Sequence, residues 1–430
     1  MMSSGRRRFL KSMALGGATL GLGSLASQAS ARNHAKAHVI VIGGGTGGAT
    51  CARYLKHFSP AMQVTLVEPS TDYATCYGSN WVLGGIAEMS DIIQTYDGLR
   101  AAGVRVVHDR ATTIDPERRT VRLGGGNTLN YDRLVVSPGI DFRWENAAEG
   151  MTAAHSQDIP HAWKAGHQTR LLRAQLEAMP DGGVFVMVAP GNPFRCPPGP
   201  YERASMVAHY FKTHKPKSKI IILDNKENFS KQGLFLSGWK ELYGDMIEWV
   251  PSTKGGQVER IDTATLTALS DGGLNEFKAT VLNYIPPQRA GDIAVNAGLT
   301  NETGWCPVNQ LTFESSIHDN IHVIGDASIA GAMPKSGHSA NSQGKVTAVA
   351  VIRAFLGQDM VAPSTANTCY SLVAPDYGIS VANVYSFKEG SIQAEQGGGV
   401  SPADAARGVR QQEAIFTRGW YASITRDTWG

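Results

Sequence analysis

No Cys-x-x-Cys-His occurs in the 430 residues, so the chain cannot attach a c-type haem to itself. Beyond residue 31 no apolar run approaches the ~20 residues needed to cross a bilayer, and no helical membrane span is expected. Charge of one sign is also missing. The formal net charge is only +3, and Lys and Arg are dispersed among acids, so the sequence offers no nucleic-acid surface. Cysteine is scarce, at five, and no residue cluster reads as a metal site.

What is present begins with Arg6-Arg7-Arg8-Phe9-Leu10-Lys11, an apolar Gly/Ala/Leu-rich stretch from Met13 to Ala26, and Ala29-Ser30-Ala31. That order is the order of a twin-arginine export leader with a small-x-small cleavage site, so residues 1–31 are set aside from the fold. Cleavage after Ala31 removes Arg6, Arg7, Arg8 and Lys11 but no acid, which takes the formal charge from +3 to −1. The twin-arginine route carries folded, often cofactor-loaded proteins, so a periplasmic location is expected. Soluble NAD(P)H is not pooled there, and the electrons must leave to another carrier, such as a c-type cytochrome or a quinone. About 400 residues remain, enough for two or three domains.

His38-Val39-Ile40-Val41-Ile42 is a short β-branched run of the kind that forms a buried parallel strand. Gly43, Gly45 and Gly48 follow directly, and Ala49 to Phe58 reads as the helix they open. Glycines in that place allow a tight turn, close backbone approach to a pyrophosphate, and a helix N-terminus facing negative charge. A second strand, Val64 to Val67, ends at Glu68, whose carboxylate can accept hydrogen bonds from ribose hydroxyls. Strand, glycines, helix, strand and acid in this order point to an adenine dinucleotide. FAD is favoured over NAD by two later segments. Tyr131 to Gly139, and Ile321-His322-Val323-Ile324-Gly325-Asp326-Ala327, resemble the two further FAD motifs of flavoproteins with two dinucleotide domains. In the second of these, the residue matching Asp326 binds the ribityl and pyrophosphate region.

A second glycine fingerprint is absent. The strand pattern Gly183 to Pro190 is followed by Gly191-Asn192-Pro193-Phe194-Arg195-Cys196-Pro197-Pro198-Gly199-Pro200. Prolines remove backbone donors, so no pyrophosphate cradle is expected there and NAD(P)H is not the expected substrate.

Of the cysteines, Cys51 and Cys306 read as buried structural thiols. Cys76 follows the second strand, Cys196 sits in the proline-rich loop, and Cys369 lies in Asn367-Thr368-Cys369-Tyr370-Ser371. Arg195-Cys196-Pro197-Pro198-Gly199-Pro200-Tyr201-Glu202-Arg203, Pro334-Lys335-Ser336-Gly337 through Gly344, and Asn367 to Ser371 carry a specific resemblance. The chain is similar, over nearly all of its mature length, to the flavoprotein subunit of flavocytochrome c sulfide dehydrogenase, a relative of sulfide:quinone reductases.

The resemblance implies that Cys76 carries FAD through a thioether, and that Cys196 and Cys369 form a redox-active disulfide against the flavin. It further implies that Glu202 is the acid/base beside that disulfide. Lys335 could favour the anionic reduced flavin or could be a solvated loop lysine. A purely structural Cys196–Cys369 cross-link and a free Cys76 thiol are the alternatives. One departure is Ser328, where a cysteine was expected after Gly-Asp-Ala. Sulfide attack on the disulfide would give a persulfide and a thiolate. Electrons would then pass through the flavin to a separate c-type cytochrome subunit, with Trp305, Trp420, Tyr421 and Trp429 as candidate contacts. The alternatives are a sulfide:quinone reductase and a non-catalytic flavin-bearing assembly or chaperone partner.

The expected fold is α/β: two Rossmann-like dinucleotide-binding domains of the disulfide-reductase flavoprotein type plus a C-terminal α+β segment. FAD-binding halves are placed at 35–150 and 265–360, an inserted domain without nucleotide motif at 151–264, and the C-terminal segment at 361–430.

Overall fold

The computed structural model describes residues 37–430, so the export leader read at residues 1–31 lies outside the described residues. His38–Ile42 (β1) is a central strand, and Val39, Ile40 and Val41 are fully buried because both faces of the sheet are covered. It pairs in parallel with Gln63–Val67 (β2), which has Arg105–Val107 (β3) on its far side. Arg133–Val136 (β4) pairs with the opposite edge of β1. Ile321–Val323 then adds beside β4, so the five-stranded parallel sheet is completed only by a strand from far downstream.

The helix after β1 runs Thr46–Phe58 (α1), starting earlier than Ala49 because the glycine-loop residues wind into its first turn. Gly43 has φ +96°, and a Cβ there would lie 2.2 Å from the Ser137 carbonyl oxygen; a Cβ on Gly48 would lie 2.0 Å from that of Gly43. Backbone cannot yield as a side chain end would. Gly48→Ala is therefore expected to destabilise the protein by about 1–3 kcal/mol, measured by urea unfolding, with loss of bound flavin.

The inserted unit is a second parallel sheet. Val184–Ala189 (β5) lies between Lys219–Asp224 (β6) and a later strand, with Ile247–Val250 (β7) outside β6. The later strand is Val281–Tyr284 (β8), which lies beyond the boundary read at 264. An antiparallel meander, Arg260–Asp262, Thr267–Ser270 and Asn275–Lys278, separates β7 from β8. The meander packs on the sheet, so the unit continues through it to β8. That meander and the sheet enclose a second apolar core that includes Val186, Leu223, Ile261 and Leu282. Gln288–Ala290, paired antiparallel with Ile140–Phe142, then leads back to the first domain.

After Ile321–Val323 (β9) come the turn Gly325–Ala327 and the helix Gly337–Phe355. The chain ends in an α+β unit, as expected: Ser364–Ala374 (β10), Tyr377–Lys388 (β11) and Ser391–Ala394 in antiparallel order, then the helix Arg407–Trp429. That last helix returns to the first domain. Trp429 Nε1 donates to the Gly44 carbonyl at 3.1 Å across 385 residues of sequence. Asp427 accepts from Tyr54 Oη at 2.6 Å and from Asn341 Nδ2 and Lys345 Nζ, each at 2.8 Å. Among the described residues no helix is long and apolar enough to cross a membrane.

Candidate active site

A cavity of about 350 Å³ opens where β1, β4 and β9 end and the helices Thr46–Phe58 and Gly337–Phe355 begin. Gly45 caps the first helix without a side-chain hydrogen bond, and no acid occupies its first turn, so free amides and the positive helix end face the cavity. Glu68 is held at the end of β2 by Gly44 N on Oε2 at 2.8 Å and Ser70 N on Oε1 at 3.0 Å. Gly43, Gly45, Glu68, Cys76, Gly139, Gly325 and Asp326 all line the cavity. Gly48 does not, since its place is the contact of the first helix with Gly43. The uncapped amides and glycine turn suit an FAD pyrophosphate, and the acid can accept from ribose hydroxyls.

The other end of the cavity carries Cys76, Tyr73, Arg195 and Asp326. Burial pushes the Cys76 thiol up, and Arg195 acts against that shift. Arg195 is itself buried. Its backbone N donates to Gln288 Oε1 at 2.9 Å, its Nη2 donates to the Trp163 carbonyl, and its Nη1 lies 3.8 Å from Asp326 Oδ2. Lys335 is partly buried behind the turn that follows Ile321–Val323. Its Nζ donates to the carbonyls of Asp326 (2.8 Å) and Ser328 (2.9 Å) and sits 3.8 Å from the centre of the Trp305 ring. Burial lowers its pKa to about 8. It is neither solvated nor on the cavity wall, because a turn with two outward carbonyls takes up its ammonium. Arg195 and the N-terminus of helix Gly337–Phe355 are on the cavity wall.

Cys196, Glu202 and Cys369 are gathered from three elements. Cys196 stands at φ +58° in the loop before helix Gly199–His214, anchored by its N donating to the Lys335 carbonyl at 2.8 Å. Cys369 is on β10, with Asn367 Nδ2 3.4 Å from its sulfur. All five cysteines are thiols in this structure. Burial, then the charges of Cys369, Cys76 and Glu202, push the Cys196 thiol well above its ordinary value, while Arg195 opposes them. Glu202 bridges the groups that surround the pair: Oε1 accepts from Leu372 N and Oε2 from Asn80 Nδ2, both at 3.0 Å. Burial raises its pKa and these donors hold it down, leaving a carboxyl able to keep or give a proton.

Three residues of this cluster carried no sequence assignment. Asn80 holds Glu202 and also accepts from Arg203 Nε at 3.2 Å. Arg203, fully buried, donates to the His161 carbonyl at 3.0 Å and Asn283 Oδ1 at 2.8 Å. Its adjacency to Glu202 at the start of a helix was the available signal. Lys231 reaches β10 from a polar turn that gave none.

The aromatic residues expected to face a partner divide. Trp305 and Trp429 are only 3% and 2% exposed, so they pack inside this chain, beneath Lys335 and against Gly44. Trp420 and Tyr421 are partly exposed, with ring centres 5.3 and 5.9 Å from Tyr77, next to Cys76. Cys51 and Cys306 are fully buried, as expected. In the inserted unit the loop after β5 is closed by Lys226, whose Nζ donates to the Pro190 carbonyl at 2.6 Å and Asp224 Oδ1 at 2.5 Å.

Three family models match the chain. Residues 169–286 match the central part of the sulfide dehydrogenase [flavocytochrome c] flavoprotein chain, and residues 361–429 match the flavocytochrome c sulphide dehydrogenase flavin-binding region. Residues 37–170 match the pyridine nucleotide-disulphide oxidoreductase model. A sulfide dehydrogenase [flavocytochrome c] flavoprotein chain of Chlorobaculum thiosulfatiphilum is 54% identical over 44 residues, 10% of this chain and 92% of that one. Mouse mitochondrial sulfide:quinone oxidoreductase is 24% identical over 321 residues, 69% of this chain and 66% of the mouse enzyme's length. Among solved structures, the sulfide:quinone oxidoreductase of Aquifex aeolicus superposes with a TM-score of 0.67 at 18% identity, covering 91% of this chain and 92% of that one. A NAD-dependent persulfide reductase from A. fulgidus gives 0.61 at 19% identity, covering 90% and 76%.

Proposed function

The chain belongs to the flavocytochrome c sulfide dehydrogenase flavoprotein family, and from that premise we propose that it oxidises sulfide in the periplasm through a Cys196–Cys369 disulfide and delivers the electrons to a c-type cytochrome subunit. One observation carries the mechanism: Cys196, Cys369 and the buried Glu202 gather next to the cavity whose wall holds Cys76. Hydrosulfide attacks one sulfur of the pair. A new S–S bond forms, the Cys–Cys bond breaks, and its electron pair leaves on the other cysteine as thiolate. Glu202 is placed to receive the proton of hydrogen sulfide on entry. A second hydrosulfide removes the outer sulfur as hydrogen disulfide and leaves the second thiolate. FAD, when bound, supplies the acceptor for that pair of electrons and releases them singly. Arg195 and the helix N-terminus at Gly337 place positive charge along the cavity wall, and the half-buried Cys76 thiol would form a covalent link to the flavin.

The acceptor decides between this reading and a quinone-linked one, which the long matches to sulfide:quinone oxidoreductases favour. Anaerobic titration of the purified protein with sulfide should bleach the flavin, and oxidised c-type cytochrome should restore its colour. Recolouring by a soluble quinone and not by cytochrome would favour the second reading. A flavin that dithionite bleaches and sulfide does not would discard both.

A further inference from the structure

One buried cation beside the cysteines has no part in the chemistry above. Lys231 stands at φ +62°, an unfavourable conformation for a lysine, just before helix Gln232–Tyr243, and is only 6% exposed. Its Nζ donates to the Cys369 carbonyl at 2.9 Å and Ser371 Oγ at 2.8 Å. A buried ammonium with two neutral acceptors costs stability unless negative charge lies within reach.

The groups that face it come from every neighbouring element: Cys369 from β10, Glu202 from helix Gly199–His214, Cys196 from the proline loop, and Glu413 from the last helix. Tyr385 on β11 faces Cys369. Burial brings the Lys231 pKa down to about 8, and those anions hold it up. Two of them are already engaged. Glu413 accepts from Arg410 Nη1 at 3.2 Å and from Ser380 Oγ at 2.9 Å, and Glu202 is tied to Leu372 N and Asn80. The donors on Glu202 are neutral, so its charge still faces Lys231, beside the charge that comes and goes on the cysteines.

We propose that Lys231 is a positioning residue for the redox pair: it fixes the Cys369 backbone and supplies the positive charge that stabilises an anion on the Cys369 sulfur, as thiolate or perthiolate. The role in turnover rests on the sulfide reading above; the charge pairing itself does not. In the opening step Lys231 gains and loses nothing. It lowers the cost of the negative charge that appears on the pair when the S–S bond breaks.

The test uses flavin-loaded protein reduced with dithiothreitol, alkylated with iodoacetamide across a pH series, and read at the Cys369 peptide by mass spectrometry. Lys231→Met should move the pH midpoint of Cys369 alkylation up by about one unit or more. It should also slow sulfide-dependent bleaching at neutral pH by about tenfold or more. Lys231→Arg, which keeps the charge, should leave the midpoint close to wild type. Lys231→Gln can still donate to both acceptors without charge, and gives the answer if the methionine variant does not fold. An unchanged midpoint in the uncharged variants overturns the proposal, even where sulfide still bleaches the flavin. A shifted midpoint in a protein whose wild type ignores sulfide upholds the pairing and removes the substrate.

Discussion

Cys369→Ser is expected to slow sulfide-dependent flavin bleaching by about three orders of magnitude or more, while dithionite still bleaches the flavin normally. A serine hydroxyl cannot form the S–S bond that hydrosulfide must break, and Cys196 alone offers no electrophile. The substitution is small, and Cys369 is only partly buried on a strand whose ladder to Val381 does not involve the side chain. The loss should therefore appear in the rate and not in the fold, with a thermal midpoint close to that of dithiothreitol-reduced wild type, which lacks the same cross-link. Cys306→Ser is the control, because Cys306 is fully buried away from the cavity and should leave the bleaching rate nearly unchanged. Stopped-flow absorbance of the three proteins settles the matter. Wild-type bleaching in Cys369→Ser would mean that sulfide reaches the flavin without a disulfide.

The second large effect concerns flavin retention. Wild-type protein precipitated with acid should keep its yellow colour in the pellet, and its intact mass should exceed the chain mass by that of FAD. Cys76→Ser should release all of the flavin to the supernatant and lose the added mass. The reason is placement: Cys76 lies in the cavity wall among Tyr73, Arg195 and Asp326. Burial disfavours its free thiolate, so its reactivity must be developed against a partner already seated. The glycine turn and Glu68 are untouched by the substitution and should still bind FAD reversibly. Release of flavin from the wild type under acid would make Cys76 a free buried thiol.

Much of this architecture could be read from the sequence, for definable reasons. The first sheet was legible because fully buried parallel strands show as short β-branched runs, and because Gly43 and Gly48 are required by backbone contacts that no side chain can relieve. The residues predicted to hold a cofactor at the ends of β1, β2, β4 and β9 follow from that local logic, and all of them except Gly48 line one cavity. What was not legible depends on distant packing. Lys231 belongs to no motif, and nothing nearby in sequence shows that β10 will cover it. Lys335 could be placed at the flavin turn, but the carbonyls that hold it behind the cavity are a tertiary fact. Trp429 looked like an exposed tail aromatic, and its indole is instead bound to the glycine loop. The misplaced boundary at 264 has the same origin, since β8 joins its sheet only after the meander has crossed it.

The bond from Trp429 to Gly44 sets an order of events during synthesis. The glycine loop leaves the ribosome early, whereas its indole partner emerges 385 residues later. Until then the loop lacks the ring that stacks on Tyr73 at 5.2 Å and the Asp427 hub that ties both long helices together. The final packing of the loop therefore depends on residues far from it in sequence.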